Sequence, residues 1–255
     1  MSEHQKSKVQ VRLLGGFELW VDGQLTRLTS TAERLIAFLG SNREPLPRRV
    51  IAAKLWPDVT EARSCANLRS ALYRLRELPA LSSHHGLFRS SRHLGLAPGT
   101  TVDLHQARDV ANRLINGMPR SEDLAETSRH SLERDLLPES YDEEWVFEAR
   151  ETFRQMRLHA LEAMCVDLAM GSRHGEAVAA GLAAVHGEPL RESAQRALIT
   201  AHLLGANYGE AVRQFERFCA VLQKELGVAP SPQLRDLIYQ GQVGDAMATA
   251  GRRLG

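Results

Sequence analysis

The chain has 255 residues, 43% of them hydrophobic and 25% charged, with a formal net charge of +1. That length and apolar content can fill two modest cores. No apolar run nears the roughly 20 residues of a membrane helix, and the polar start Met1–Lys8 is no signal peptide, so a cytoplasmic protein with no membrane partner is expected.

Cys65, Cys165 and Cys219 lie far apart without paired metal spacing and read as reduced core cysteines. The ten histidines are scattered, so neither a metal nor a cofactor is expected. The near-neutral total hides an asymmetry. Met1–Asp103 carries fifteen Lys and Arg against nine Asp and Glu, a net +6, whereas Leu104–Gly255 carries a net −5. A basic first part suits a polyanionic partner.

In chain order, Val9-Gln10-Val11-Arg12-Leu13 and Phe17-Glu18-Leu19-Trp20-Val21 alternate apolar and polar as strands do. Asp22-Gly23 is a hairpin turn signal, after which Leu25-Thr26-Arg27-Leu28 returns. Ser30 or Thr31 is the expected cap of a helix through Leu39, with Gly40 as its C-terminal cap. Val50–Trp56 is a short apolar helix that Pro57 ends.

Thr60 then caps a helix through Leu78. Helical spacing puts Leu68, Leu72 and Leu75 on its inner face, flanked by Ser64, Cys65 and Ala71. The opposite face carries Arg63, Ala66, Asn67, Ser70, Tyr73 and Arg74, with Arg69 and Arg76 on its edges. Arginine forks fit guanine edges and phosphates, asparagine fits adenine, and serine and tyrosine reach phosphate oxygens. A solvated surface helix is the plainer reading of such a face, but its neighbours favour recognition. Downstream, Gly86–Leu96 with Pro98-Gly99 and Val102-Asp103 reads as a hairpin with a basic tip. A small sheet, three helices and a hairpin describe a winged helix, whose third helix enters the major groove.

Asp103 can cap a helix Leu104–Ile115, so the domain junction is expected there. From Glu133 onward the chain reads as helix. Slid by 34 residues, Arg173-His174-Gly175-Glu176-Ala177-Val178 falls on Asn207-Tyr208-Gly209-Glu210-Ala211-Val212, and Gly171 falls on Gly205. That is the period of the tetratricopeptide helix pair. Trp145 reads as a packing residue at a helix start. The fold class expected is mainly α with a small β component: a winged helix (1–103), an all-α tetratricopeptide-like domain (104–245) and a tail (246–255).

Catalysis is not expected. There is no phosphate-binding Gly-x-x-x-x-Gly-Lys-Ser/Thr loop, no Gly-x-Gly-x-x-Gly, no His-Glu-x-x-His and no Gly-x-Ser-x-Gly elbow.

The order of several motifs resembles the Streptomyces antibiotic regulatory protein family, which joins an OmpR-type winged helix to a bacterial transcriptional activation domain. The residues are Leu14–Leu19, Lys54-Leu55-Trp56-Pro57-Asp58, Asn67–Arg76, Leu136-Leu137-Pro138, Asp142–Val146 and Glu225–Pro232. One departure is the wing, where many members have Gly-Tyr and this chain has Ser90-Ser91-Arg92-His93. Neither an appended ATPase module nor an acidic receiver domain is expected. The resemblance implies a nucleoid-associated activator of an antibiotic biosynthesis cluster. It would bind direct repeats in double-stranded DNA as a homodimer, near the promoter, and recruit RNA polymerase holoenzyme through sigma. Arg63, Asn67, Ser70 and Arg74 are the expected base readers. Ser30, Arg34, Arg48, Arg49, Thr60, Arg69, Tyr73, Arg89, Ser90, Ser91 and Arg92 are the expected phosphate and wing contacts. The alternative is an interaction scaffold whose winged helix no longer binds DNA.

Overall fold

The computed structural model describes residues 9–77, 92–139 and 143–239. The chain divides into two compact units, Met1–Arg108 with Arg134–Arg154, and Asp109–Glu133 with Gln155–Gly255.

In the first unit, β1 (Val9–Arg12) pairs antiparallel with β2 (Glu18–Val21), and β2 with β3 (Gln24–Leu25). Asp22 and Gly23 both take positive φ, 51° and 80°, as a two-residue primed turn requires. Leu19 and Val21 point into the core while Glu18 and Trp20 take the other face, the period of two seen in the sequence. Then come α1 (Ser30–Ser41), β4 (Leu46–Pro47), α2 (Arg48–Leu55), α3 (Glu61–Arg76), β5 (His93–Leu94), β6 (Thr101–Val102) and α4 (Asp103–Ile115).

The first arm of the expected hairpin, residues 86–89, lies outside the described residues. β5 pairs antiparallel with β4, whereas β6 leaves it and pairs parallel with β1, giving the sheet order β3-β2-β1-β6. The basic tip, residues 89–91, lies outside the described residues.

Both expected ends of α1 need correction. Its N-cap is Thr29, whose carbonyl accepts the Ala32 and Glu33 N–H groups at 2.9 Å, and Ser30 is the first helical residue. Gly40 does not stop the helix. It is buried in the last turn, where a Cβ would come within 3.2 Å of Leu13, so its smallness serves close packing onto the sheet. The helix ends one residue later, with Asn42 as C-cap.

Asp103 does more than begin α4. Its carboxylate accepts the Leu13 N–H at 2.8 Å, the Leu14 N–H at 3.1 Å and the Leu104 N–H at 2.7 Å, pinning the end of β1 to the start of the helix. Burial pushes its pKa up, and those three bonds oppose the shift.

The chain returns to this unit after α5 (Glu126–Glu133). Leu14 bridges Leu136, the Leu137 N–H donates to Leu13 O at 2.8 Å, and Gly15 N–H donates to Asp135 O at 2.8 Å. Arg150 of α6 (Glu144–Met170) donates to the Leu136 carbonyl at 2.9 Å and also to that of Leu137. Leu136, Leu137, Trp145, Val146 and Phe153 thereby join the core built by α1, α2 and α3. Trp145 meets Phe38 edge to face with centroids 5.0 Å apart, so it is a packing residue. A single cut after Asp103 therefore does not describe the units. Contacts far apart in sequence bring 134–154 back to the first one.

The second unit holds a 3-10 turn (Ser121–Leu124), α5, the rest of α6, α7 (His174–Gly187), α8 (Glu192–Leu204), α9 (Tyr208–Leu226) and α10 (residues 232–239). The 34-residue repeat is a repeat of backbone geometry as well. Ser172 and Ala206 both take left-handed φ, 59° and 57°. The following caps match too, Arg173 at φ −89°, ψ 57° and Asn207 at φ −94°, ψ 58°. Arg173 N–H donates to Leu168 O at 2.9 Å, as Asn207 N–H does to His202 O at 2.8 Å. Ala177 and Ala211 are both fully buried. At Gly181, which aligns with Phe215, a Cβ would lie 3.1 Å from Leu198 Cα, so α7 approaches α8 closer than a larger residue allows. Arg113 clamps the 3-10 turn with two bonds of 2.6 and 2.7 Å to Asp123, which hold that buried carboxyl below its usual range. Among the described residues no helix is long and apolar enough to cross a membrane.

Candidate nucleic-acid interface

The inner face of α3 is built as its spacing predicts. Ser64, Leu68, Ala71, Leu72 and Leu75 are buried, and they seat the helix on α1 and α2. Thr60 is its N-cap, through its backbone: its carbonyl accepts the Ser64 N–H at 2.9 Å and its side chain makes no capping bond. Because the inner residues lock the helix rotation, the outer residues are fixed in direction.

Arg63, Ser70 and Arg74 are exposed and Asn67 is half-buried. At 3.6 residues per turn these four span only about 60° around the helix and about 16 Å along it. Arg69, Tyr73 and Arg76 flank this stripe and are exposed as well. Among the described residues Arg63, Arg69, Arg74 and Arg76 show no ion-pair partner. Tyr73 is 64% exposed, and its hydroxyl donates to Glu77, whose bond and charge raise the phenol pKa above its ordinary value. Arg76, at the edge of this face by helical spacing, is exposed like Arg69.

The surrounding cations divide into two groups. Arg49 is 83% exposed and pairs with Glu61 at 3.1 Å, at the first turn of α3. Arg92 is exposed next to β5, and its carbonyl accepts the Arg48 N–H at 3.4 Å. Arg48 itself is half-buried, with its Nε in the interior. Ser30 is exposed at the start of α1. Arg34, expected on phosphate, is turned inward. It pairs with Glu143, donates to the Leu55 carbonyl and lies 5.9 Å from the Trp56 ring, so it ties α1 to the end of α2 and to the segment before α6. Its charge is committed within the protein, and it leaves the list of phosphate contacts. Arg89, Ser90 and Ser91 lie outside the described residues. Nor do the described residues hold a cluster of His, Cys, Asp and Glu able to hold a metal ion.

Residues 116–240 match the bacterial transcriptional activator domain. The fold is similar to that of Mycobacterium tuberculosis EmbR, solved in complex with a low affinity phosphopeptide. The TM-score is 0.67 at 20% identity over 93% of this chain, which spans 66% of the EmbR chain. No curated protein matches. A winged helix thus precedes a bacterial transcriptional activator domain in this chain. That order of units is the one expected from the motifs that resemble the Streptomyces antibiotic regulatory protein type.

Proposed function

We propose that this protein is an activator that binds double-stranded DNA with α3 in the major groove. The observation that carries the reading is the outer stripe of α3: unpaired arginines, an amide and a hydroxyl on a helix whose inner face is locked into the core. Arg63, Asn67, Ser70 and Arg74 read base edges. Arg49, Arg69, Arg76, Arg92 and the amides at Ser30 and Thr60 hold phosphates, with Arg48, Tyr73 and the wing residues Arg89, Ser90 and Ser91 beside them. The helical part pairs two copies on direct repeats and recruits RNA polymerase holoenzyme through sigma, at promoters of an antibiotic biosynthesis cluster. Several exposed arginines without ion-pair partners on one helix favour DNA binding over a scaffold.

The test is to sequence the DNA that the purified full chain selects from a random pool. The expected result is a motif repeated in one orientation, about one helical turn (roughly 10–11 bp) apart. An inverted repeat would replace the direct-repeat arrangement with a two-fold one, and an unenriched pool would leave the scaffold reading.

A further inference from the structure

The second unit contains a groove of about 640 Å³ that transcription activation does not explain. Its walls are the end of α4, the C-terminal half of α6 and α8 from Ser193 to Thr200. Leu114, Ile115, Ala163 and Val166 give it an apolar lining, and Ile115 is 43% exposed into it. Two contacts fix α6 and α8 in parallel register: Ser193 Oγ donates to Glu162 at 2.8 Å, and Cys165 Sγ donates to Ala197 O at 3.4 Å. Further along, Asp167 and Thr200 both line the groove.

The carboxylates of the groove are in unlike states. Glu162 is satisfied by Arg191 at 2.5 Å and by Ser193. Asp167 is not: its Oδ2 is buried without a hydrogen-bond partner. Burial alone raises its pKa, with no cation to counter it. A buried acceptor left open this way is costly, and it is kept where something else completes it. Arg196, exposed on the groove's rim, and Asp167 form no ion pair among the described residues, and His159 completes the polar lining.

We propose that this groove binds a small molecule with an apolar body and a protonated amine, the amine donating to Asp167. The volume lies in the range of small-molecule sites, about 300–1,000 Å³. An apolar wall with one convergent, unsatisfied acceptor is what orients such a ligand.

The test uses the full chain and three probes of matched size: phenethylamine, 3-phenylpropanol and phenylacetate. Calorimetry should show phenethylamine binding, the alcohol binding weaker and the acid not binding. Asp167→Asn removes a charge that no partner satisfies, so it should fold with an equal or higher Tm while weakening phenethylamine at least about tenfold. Ala163→Phe, which fills the groove, should abolish binding of both the amine and the alcohol. Equal phenethylamine affinity in wild type and Asp167→Asn would overturn the proposal. So would the absence of any binding up to about 1 mM, a ceiling below which even a weak fragment registers, and the groove would then belong to a macromolecular partner.

Discussion

Arginine is placed differently in the second unit and on the outer face of α3. In the second unit, it is mostly mortar. Arg113 holds Asp123, Arg129 holds Glu126 and Glu133, Arg173 holds Glu176, Arg191 holds Glu162 and Arg213 holds Glu210. On the outer face of α3, Arg63, Arg69, Arg74 and Arg76 have no ion-pair partner among the described residues, and Glu77 is engaged by the Tyr73 hydroxyl. A paired guanidinium has already given its charge to the fold, whereas an exposed unpaired one keeps it for a partner. Arginine count therefore says little about nucleic-acid binding, and the company of each arginine says much.

The largest effect that tests this division is a truncation. A fragment ending at Asp103 keeps every arginine of the α3 face but loses Leu136, Leu137, Trp145, Val146 and Phe153 from its core. Each buried side chain contributes about 1.5–3 kcal/mol, so five together are comparable to a domain's whole stability of about 5–15 kcal/mol. Fragment 1–103 should show no cooperative melt, and 1–154 should show one. A fragment 1–103 that folds and binds operator would separate the interface from the returning segment.

Next in size is the clamp Arg113–Asp123. Because Arg113 lowers the folded pKa of Asp123, the stability it gives is present above the ordinary value of 3.8 and is lost as pH falls through the lower folded value. Asp123→Asn leaves Arg113 unpaired and should cost about 3 kcal/mol at neutral pH. The Tm gap to wild type should narrow below that range. A gap that stays constant down to acid pH would mean that packing, not charge, carries the contribution.

A pair of substitutions then compares mortar with interface directly. Arg34→Ala strands Glu143 and the Leu55 carbonyl, and should lower stability by about 2 kcal/mol while changing operator affinity little once folded. Arg74→Ala should leave stability within about 0.5 kcal/mol. It should cost about 1–3 kcal/mol in binding and relax preference at one base position. An unchanged motif for Arg74→Ala would move that side chain to the phosphate class.

How far each feature was legible follows the range of the interaction behind it. The inner face of α3 was readable because Leu68, Leu72 and Leu75 repeat at helical spacing and need only their own helix to define the face. The repeat at 34 residues was readable because Gly171 and Gly205 mark turns whose backbone recurs. Three features were not. Gly40 looks like a stop signal, and only the sheet beside it shows that its size is what matters. Arg34 sits four residues into a helix like any exposed cation, and its partner Glu143 is more than a hundred residues away. The return of Leu136 and Leu137 to the end of β1 is a main-chain pairing that leaves no pattern in either segment.

The smallest effect lies where the two purposes meet, at Arg49. It pairs with Glu61, but both side chains are largely exposed, 83% and 65%, so the pair adds almost nothing to stability. Glu61 does favour the positive end of the α3 dipole, by about 0.3–1 kcal/mol. Yet its carboxylate stands at the first turn of the helix that would approach a phosphate, and it holds a cation the DNA could use. Glu61→Gln therefore trades a slight loss of helix stability for a freed Arg49. Tm should fall by a degree or two at most, since surface changes stay within about 0.5 kcal/mol. Affinity for operator should rise about threefold at low salt, and the slope of log affinity against log salt should steepen by about one unit as Arg49 neutralises one more phosphate. The gain should be the same for operator and for random DNA, because a phosphate contact carries no sequence information. If affinity and slope stay where they were, Arg49 does not reach the backbone, and the interface ends at α3 itself.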